Sequence, residues 1–537
     1  MEITMGKVIK FLKKYKSSIL NIICFIVIFI VAVFLRVYKL ENIPSGVNVD
    51  EAGMAYDAFC LSKFMVDRAL NKFPVYFINF GGGQSILYGY VTAIFIKLYG
   101  FNITSIRITA VIFNLIAILA CFLMIRKHIG QKSALVVSFL LTINPWNIMS
   151  SRWGLDCNLL ALCLIISLYF LLRAKKWYQY IFAGLAIGIS LYTYAISYII
   201  IPVFLILILS YMLYVKRITF KNIIILGIPI FILALPLMLM ILVNNGILEQ
   251  INWIFTIPKL PKYRGSEISI SNIITNLKSL NKILIYDDLP FNSLPEYGTL
   301  YNFAIVLMVL GIFIEGHELI KNIKEKKFSI NTVIFLMFIS VSLCMMLIAD
   351  INISKSNAIY FPLIFLCYSS LHYIYLLQHK KISKADKILE KIKILVIRLI
   401  LIAILIMYCI NFYSFTKFYF TRYEEVYEHQ QFFEKDLIEI IDQVNGRDEF
   451  ENRDIYIYTG AERPYIYTLY VNPISPYTFN ETRDENDNYG RYKIIEDRII
   501  NENAVYIVRA DSDFSYELAA YHGFCNEEMG IYILLYR

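Results

Sequence analysis

The chain has 537 residues, 58% of them hydrophobic and 17% charged, with mean hydropathy +0.58. A soluble domain averages about a quarter charged residues, so this composition belongs to a membrane protein. The net charge of +9 hides a split: residues 421–537 hold roughly 24 acidic against roughly 11 basic side chains. The basic excess therefore sits in short loops between apolar runs, which excludes a nucleic-acid footprint. The nine cysteines include no C-x-x-C pair and fall mostly inside apolar runs, which excludes a disulfide framework.

A basic stretch, "KVIKFLKKYK", precedes "ILNIICFIVIFIVAVFL". The apolar run is long and no small-residue cleavage site follows, so it predicts an uncleaved first span. Further basic clusters are "RKHIGQK" (126–132), "RAKKW" (173–177), "VKR" with Lys221, "KNIKEKK" (321–327) and "HKKISKADK" (379–387). Lys and Arg mark cytoplasmic loops. Placing all of them inside gives about 11 spans, at roughly 18–36, 104–125, 133–147, 157–173, 178–193, 197–215, 222–244, 300–319, 329–349, 357–378 and 392–416. The N-terminus is then cytoplasmic and the C-terminal segment extracytoplasmic.

The first outer loop, 37–103, contains "VNVDEAGMAYDAFCLSKF". Met54, Ala58, Leu61 and Met65 recur at helical spacing, which predicts an amphipathic helix over 51–66 on the outer interface. Asp50 and Glu51 stand at its head. One reading makes Asp50 the N-cap and Glu51 its dipole partner; the other makes them a general base beside the membrane. "GQSILYGYVTAIFIKLYG" (83–100) is read as membrane-lying or re-entrant, because a crossing there would put "RKHIGQK" outside. "GGGQS" lacks the Lys-Ser/Thr of a P-loop.

Arg107 opens the second span. The second outer turn, "INPWNIMSSRWGLDCNLLAL", offers Arg152, Asp156 and Asn158 between aromatic residues. An Arg there is either half of a loop ion pair or what a leaving phosphate needs. The third turn, "SLYTYAISYIIIP", brings Tyr192, Tyr194 and Tyr198, residues also expected of an interfacial belt. The second long outer loop, 245–299, carries Lys259, Lys262 and Arg264, then Asp287 and Asp288; the fifth turn carries Asn352, Lys355 and Asn357. The six histidines show no ligand spacing, so no metal site is read from the chain.

Residues 420–537 read as a soluble α/β domain, separate from a transmembrane domain at 1–419. "EEVYEHQQFFEKDLIEIIDQVNG" is a helix closed by Asn-Gly; "DIYIYTG", "NAVYIVRA" and "GIYILLYR" are strands.

The ordered set is more specific than any member. It comprises Asp-Glu after span one, Arg at span two, P-x-x-x-x-x-S-R-x-x-x-D after span three and L-Y-T-Y after span five. This resembles the GT-C membrane glycosyltransferases, in particular glycosyltransferase family 39. The resemblance covers about residues 18–245. It implies a polytopic α-helical fold and transfer of a sugar from a polyprenyl phosphate to an extracytoplasmic glycan, lipid or protein. It implies that Asp50 is the catalytic or acceptor-orienting carboxylate, with Glu51 as partner. Arg107, Arg152, Asp156, Tyr192, Tyr194, Arg264 and Lys355 are the expected donor-phosphate and substrate contacts. Family members often carry an Arg where this chain has Lys355, a point charge rather than a fork. No motif requires a cofactor; a divalent metal is compatible with the leaving phosphate. The rival readings are a transporter or flippase of lipid-linked sugars and a non-catalytic glycan-binding paralogue.

Overall fold

The computed structural model describes residues 2–263, 268–287, 291–379, 387–426 and 432–537. All 11 expected spans are helical. Seven helices are long and apolar enough to cross a membrane: Ile19–Val37 within α1 (Glu2–Val37), α4 (Ile103–His128), α9 (Ser197–Tyr214), α10 (Phe220–Asn244), α14 (Ile330–Leu347), Asn357–Leu377 including α15 (Tyr360–Leu377), and Ile388–Thr421 within α16 (Lys387–Thr421). The other four are α5 (Gln131–Ile143), α7 (Asn158–Arg173), α8 (Trp177–Ser190) and α13 (Ala304–Lys324). At 1.5 Å per residue, a helix such as α5 spans only about 20 Å of a hydrocarbon core about 30 Å thick. The chain continues beyond α5 as α6 (Pro145–Met149), a short helix capped by the Asn144 side chain. α4 packs on both α5 and α7, and α8 on α7 and α10.

The first outer loop folds into α2 (Val49–Phe64), a hairpin of β1 (Phe77–Asn79) and β2 (Gly82–Gln84), and α3 (Leu87–Tyr99). α3 covers most of the ambiguous 83–100 segment and has 13 residues, too few to cross the bilayer. The expectation of an amphipathic interfacial helix needs correction. Every residue of α2 from Glu51 to Leu61 is buried. The reason lies in the sequence: Ala52, Met54, Ala55, Ala58, Phe59 and Cys60 surround the helix, and its buried acids Glu51 and Asp57 are paired with Arg107 and Arg68.

What covers α2 is the C-terminal segment. Its five strands, β5 (Ile455–Tyr458), β6 (Tyr492–Ile494), β7 (Val505–Arg509), β8 (Cys525–Met529) and β9 (Tyr532–Tyr536), lie in the order β6-β5-β7-β9-β8. β5 is parallel to β6 and β7, while β9 is antiparallel to β7 and β8. Alternation sends Ile455, Ile457, Val505 and Ile507 to one face and Tyr506 and Val508 to the other. The first face joins Leu437, Ile440, Ile441, Ile466 and Leu469 in a cluster that also contains Tyr56, Phe59 and Leu61 of α2. One apolar core thus runs through outer loop and sheet alike.

Backbone contacts reinforce it. The Val47 N–H donates to the Phe433 carbonyl at 2.6 Å, and Asn48 Nδ2 to the Phe432 carbonyl at 3.0 Å. Gly46 adopts φ +80°, and a Cβ there would stand 2.0 Å from the Phe433 oxygen, so only glycine permits this approach. Tyr56 Oη donates to the Ile474 carbonyl, and Asn480 Nδ2 to that of Arg68.

Candidate active site

α2 begins two residues earlier than the sequence reading supposed. Asn48, not Asp50, is the N-cap: its extended backbone (φ −73°, ψ 154°) and side-chain oxygen receive the Asp50 N–H at 3.0 Å. The Asp50 carboxylate therefore has another partner. Its Oδ1 accepts from Asn79 Nδ2 at 3.0 Å. Asn79, on the hairpin, accepts in turn from the Arg68 guanidinium, whose Nε donates to Asp57 Oδ2 at 3.2 Å. Asp57 lies two helical turns below Asp50 on the same face of α2. A relay of four side chains, Asp57–Arg68–Asn79–Asp50, thus sets the orientation of a half-buried carboxylate.

Glu51 points the other way. It is wholly buried and pairs with Arg107, whose Nε and Nη2 reach its two oxygens at 3.0 and 3.1 Å. The Gly154 N–H adds a bond at 2.6 Å. Arg107 also donates to the carbonyls of Leu40, Pro44 and Gly46. Arg152, equally buried, donates to the carbonyls of Leu35, Tyr38, Lys39 and Ile43. The sequence reading expects Glu51 to partner Asp50 and Arg107 and Arg152 to contact a phosphate; in this structure their hydrogen bonds run to one another and to the main chain. These groups face the polypeptide and shape residues 35–51 into the loop that carries Asp50. Their hydrogen-bonding capacity satisfies carbonyls that would otherwise be buried without partners.

Asp156 does come close to Asp50. Its Oδ2 accepts from the Ser85 N–H at 3.0 Å and its Oδ1 from the Cys157 N–H at 2.8 Å. Burial pushes its carboxyl up to about 7; the nearby Asp50 charge pushes the same way, and the two N–H donors oppose it. Tyr194 looks into the same space: burial raises its phenol, with Asp156 and Asp50 among the groups that add to the effect. Tyr192 does not join them; its hydroxyl donates to the Leu233 carbonyl on α10. Lys355 stands in the neighbouring turn, its Nζ on the Ala349 carbonyl at 2.7 Å. That turn is tied to the Asp156 turn through Asn357 Nδ2, which donates to Asn158 Oδ1 at 3.2 Å. Asp287 holds the turn's other side by accepting from the Ile353 N–H. Arg264 and Asp288 lie outside the described residues. Lys262 brings the long loop to the hairpin, its N–H donating to the Gly81 carbonyl. Among the described residues no three His, Cys, Asp or Glu gather as a metal-binding group.

Asp50 also forms one wall of a crevice of about 420 Å³ against the C-terminal domain, with Glu434, Glu462, Arg509, Tyr467 and Tyr532 on the far side. Sequence reasoning missed these residues, together with Asn79, Arg68 and Asp57. They are scattered over more than 400 positions and carry no spacing signal; only the alternation that placed β5 and β7 pointed toward the strand ends where Thr459 and Arg509 lie.

Residues 83–241 match a family model described as dolichyl-phosphate-mannose-protein mannosyltransferase. A search of curated proteins gives no match. Among solved structures the fold is similar to apo ArnT from Cupriavidus metallidurans, at TM-score 0.55 and 11% identity over 97% of this chain and 98% of that one. The same protein bound to undecaprenyl phosphate gives 0.51, with the same identity and coverage. The oligosaccharyltransferase from Archaeoglobus fulgidus in its apo form gives 0.53 and 12% identity over 85% of this chain and 64% of that one. The family match over residues 83–241, with a fold similar to these membrane proteins along most of the chain, indicates a membrane glycosyltransferase. Residues 83–241 carry its dolichyl-phosphate-mannose-protein mannosyltransferase family domain.

Proposed function

We propose that this glycosyltransferase takes a sugar from a polyprenyl-phosphate donor and places it on an acceptor hydroxyl at the outer face, with Asp50 as general base. The observation that carries this reading is the Asp50 carboxylate, aimed by Asn79 and open to a crevice, with Asp156 and Tyr194 beside it. A polyprenyl chain stays in the bilayer, so the reacting carbon must be met at the interface. Asp50 takes the hydroxyl proton as the acceptor oxygen bonds to the anomeric carbon. The bond from that carbon to the phosphate oxygen breaks, and polyprenyl phosphate leaves with its electron pair. A direct displacement of this kind inverts the anomeric centre. Asp156, its carboxyl raised chiefly by burial, serves as a hydrogen-bond partner for the donor sugar. Lys355 and Arg264 supply positive charge for the leaving phosphate. The basic loops support a cytoplasmic N-terminus and an outer position for residues 420–537.

Glycosyl transfer in membranes supplied with radiolabelled polyprenyl-phosphate sugars tests the assignment. Asp50→Asn preserves size and removes the charge, and loss of a general base lowers the rate by about 10²–10⁴-fold. Undiminished transfer by Asp50→Asn at normal expression would remove Asp50 from the chemistry and turn attention to Asp156.

A further inference from the structure

The crevice facing Asp50 has a position in the C-terminal domain that topology alone singles out. β5 lies between β6 and β7 and is parallel to both. After β5 the chain passes through helices Tyr465–Val471 and Pro476–Thr482 to β6; after β7 it passes through Asp513–His522. The first connection packs on the sheet face shared with α2, since Ile466 and Leu469 belong to that cluster. The second packs on the opposite face, where Phe514 and Leu518 meet Tyr506 and Val508. The connections therefore diverge to opposite faces between β5 and β7. In open α/β sheets, ligands bind outside the carboxyl ends of the strands at such a switch point. The crevice lies there: Thr459, Gly460, Ala461 and Glu462 follow β5, and Arg509 ends β7.

We propose that this crevice is the acceptor subsite and that it takes a neutral, polyhydroxylated sugar unit, presenting its hydroxyl to Asp50. The inference rests on the glycosyl-transfer reading and specifies the acceptor. The lining supports it in three ways. Asp50 and Glu462 bring two carboxylates, and Glu434 a third carboxyl group raised to about 7 chiefly by burial, against one cation, Arg509, which already forms two 3.0 Å bonds to Asp511. That balance repels phosphorylated or uronic acceptors and suits hydroxyl donors. The half-buried rings of Phe291 and Phe432 supply apolar surface for the sugar ring. Finally, β5 and β7 are each paired on both sides, so no strand edge here offers main-chain pairing to an extended peptide. The volume of about 420 Å³ lies in the range of small-molecule sites, about 300–1,000 Å³.

Saturation-transfer NMR on the full-length protein in nanodiscs tests this, with cellobiose, maltose and chitobiose as neutral probes. Glucose 6-phosphate, galacturonate and a serine/threonine-rich peptide are the competing probes. Glu462→Gln changes an exposed side chain and Glu434→Gln is isosteric, so both variants should fold; thermal unfolding checks this. The expected result is saturation of a neutral disaccharide, reduced at least about fivefold in both variants, with none for the anionic sugars or the peptide. Absence of disaccharide saturation, equal saturation in both variants, or a stronger signal from peptide or phosphosugar overturns the proposal. Breakdown of radiolabelled polyprenyl-phosphate sugar, with water as acceptor, is followed in parallel. Donor breakdown without sugar binding locates the failure in the crevice assignment. Sugar binding without donor breakdown locates it in the transfer reading and removes the crevice's role as an acceptor subsite.

Discussion

Asp50 and Glu51 are adjacent, equally acidic and in the first turn of one helix, yet they meet different surroundings. A turn of about 100° separates successive residues, so one carboxylate reaches the crevice and the other the Arg107 guanidinium. Breaking that buried pair by Arg107→Ala leaves Glu51 charged and alone, at a cost of about 3–5 kcal/mol. The expected outcome is a large fall in unfolding temperature, with Arg107→Lys failing to restore it because a single ammonium cannot span Glu51 and three carbonyls. A second expectation concerns pH. The Asp156 carboxyl is raised to about 7 in the folded protein from an ordinary 3.8. Between those values the folded state keeps a proton that the unfolded chain has released. Stability therefore falls as pH rises through that window, by up to about 1.4 kcal/mol per pH unit, and levels off above it. Thermal unfolding of Asp156→Asn should match wild type near pH 4 and exceed it at pH 8. Glu434, also raised to about 7 chiefly by burial, contributes a parallel slope that the variant retains. At this scale the sequence showed which residue types were unusual at the outer face. It did not show that Asn48 rather than Asp50 would cap the helix, a choice between residues two positions apart, or that Arg107 and Arg152 would turn inward, which depends on partners 56 to 117 positions away.

Elements were more legible than their contacts. Hydropathy located every expected span, and alternation in "DIYIYTG", "NAVYIVRA" and "GIYILLYR" located β5, β7 and β9. β6 has only three residues, and β8 reads "CNEEM", an edge strand whose polar residues give no apolar alternation. α2 was recognised as a helix from its spacing, but its surroundings were not, since a helix apolar on all sides announces burial without naming what buries it. Gly46 governs how this element meets the C-terminal segment. Gly46→Ala should impose left-handed strain of about 1–2 kcal/mol and push Phe433 away. Limited trypsin digestion would then cut the 432–435 segment sooner than in wild type, at a lower unfolding temperature.

Across the whole molecule, the boundary near residue 420 separates membrane helices from the sheet in sequence, while the apolar core ignores it. Tyr56, Phe59 and Leu61 are covered by Leu437, Ile441 and Ile466 in a shared cluster. Removal of residues 420–537 should therefore yield an aggregating or rapidly degraded product, measured by size-exclusion profile and membrane abundance. A detachable cap would instead leave a well-behaved membrane domain. The pattern of loop charges was legible in the sequence. The joining of first and last segments was not, because covering a helix from nearly 400 residues away leaves no local mark.

That joining bears on how the protein is made. Ribosomes deliver residues 49–64 long before residues 437–534, so α2 must wait through nearly 400 residues of synthesis before its partners arrive. Until then the nascent loop exposes apolar side chains and lacks the far wall of its crevice. On the proposed reading, a ribosome that stalls before the sheet is complete releases a chain whose crevice has no far wall and which cannot consume lipid-linked sugar.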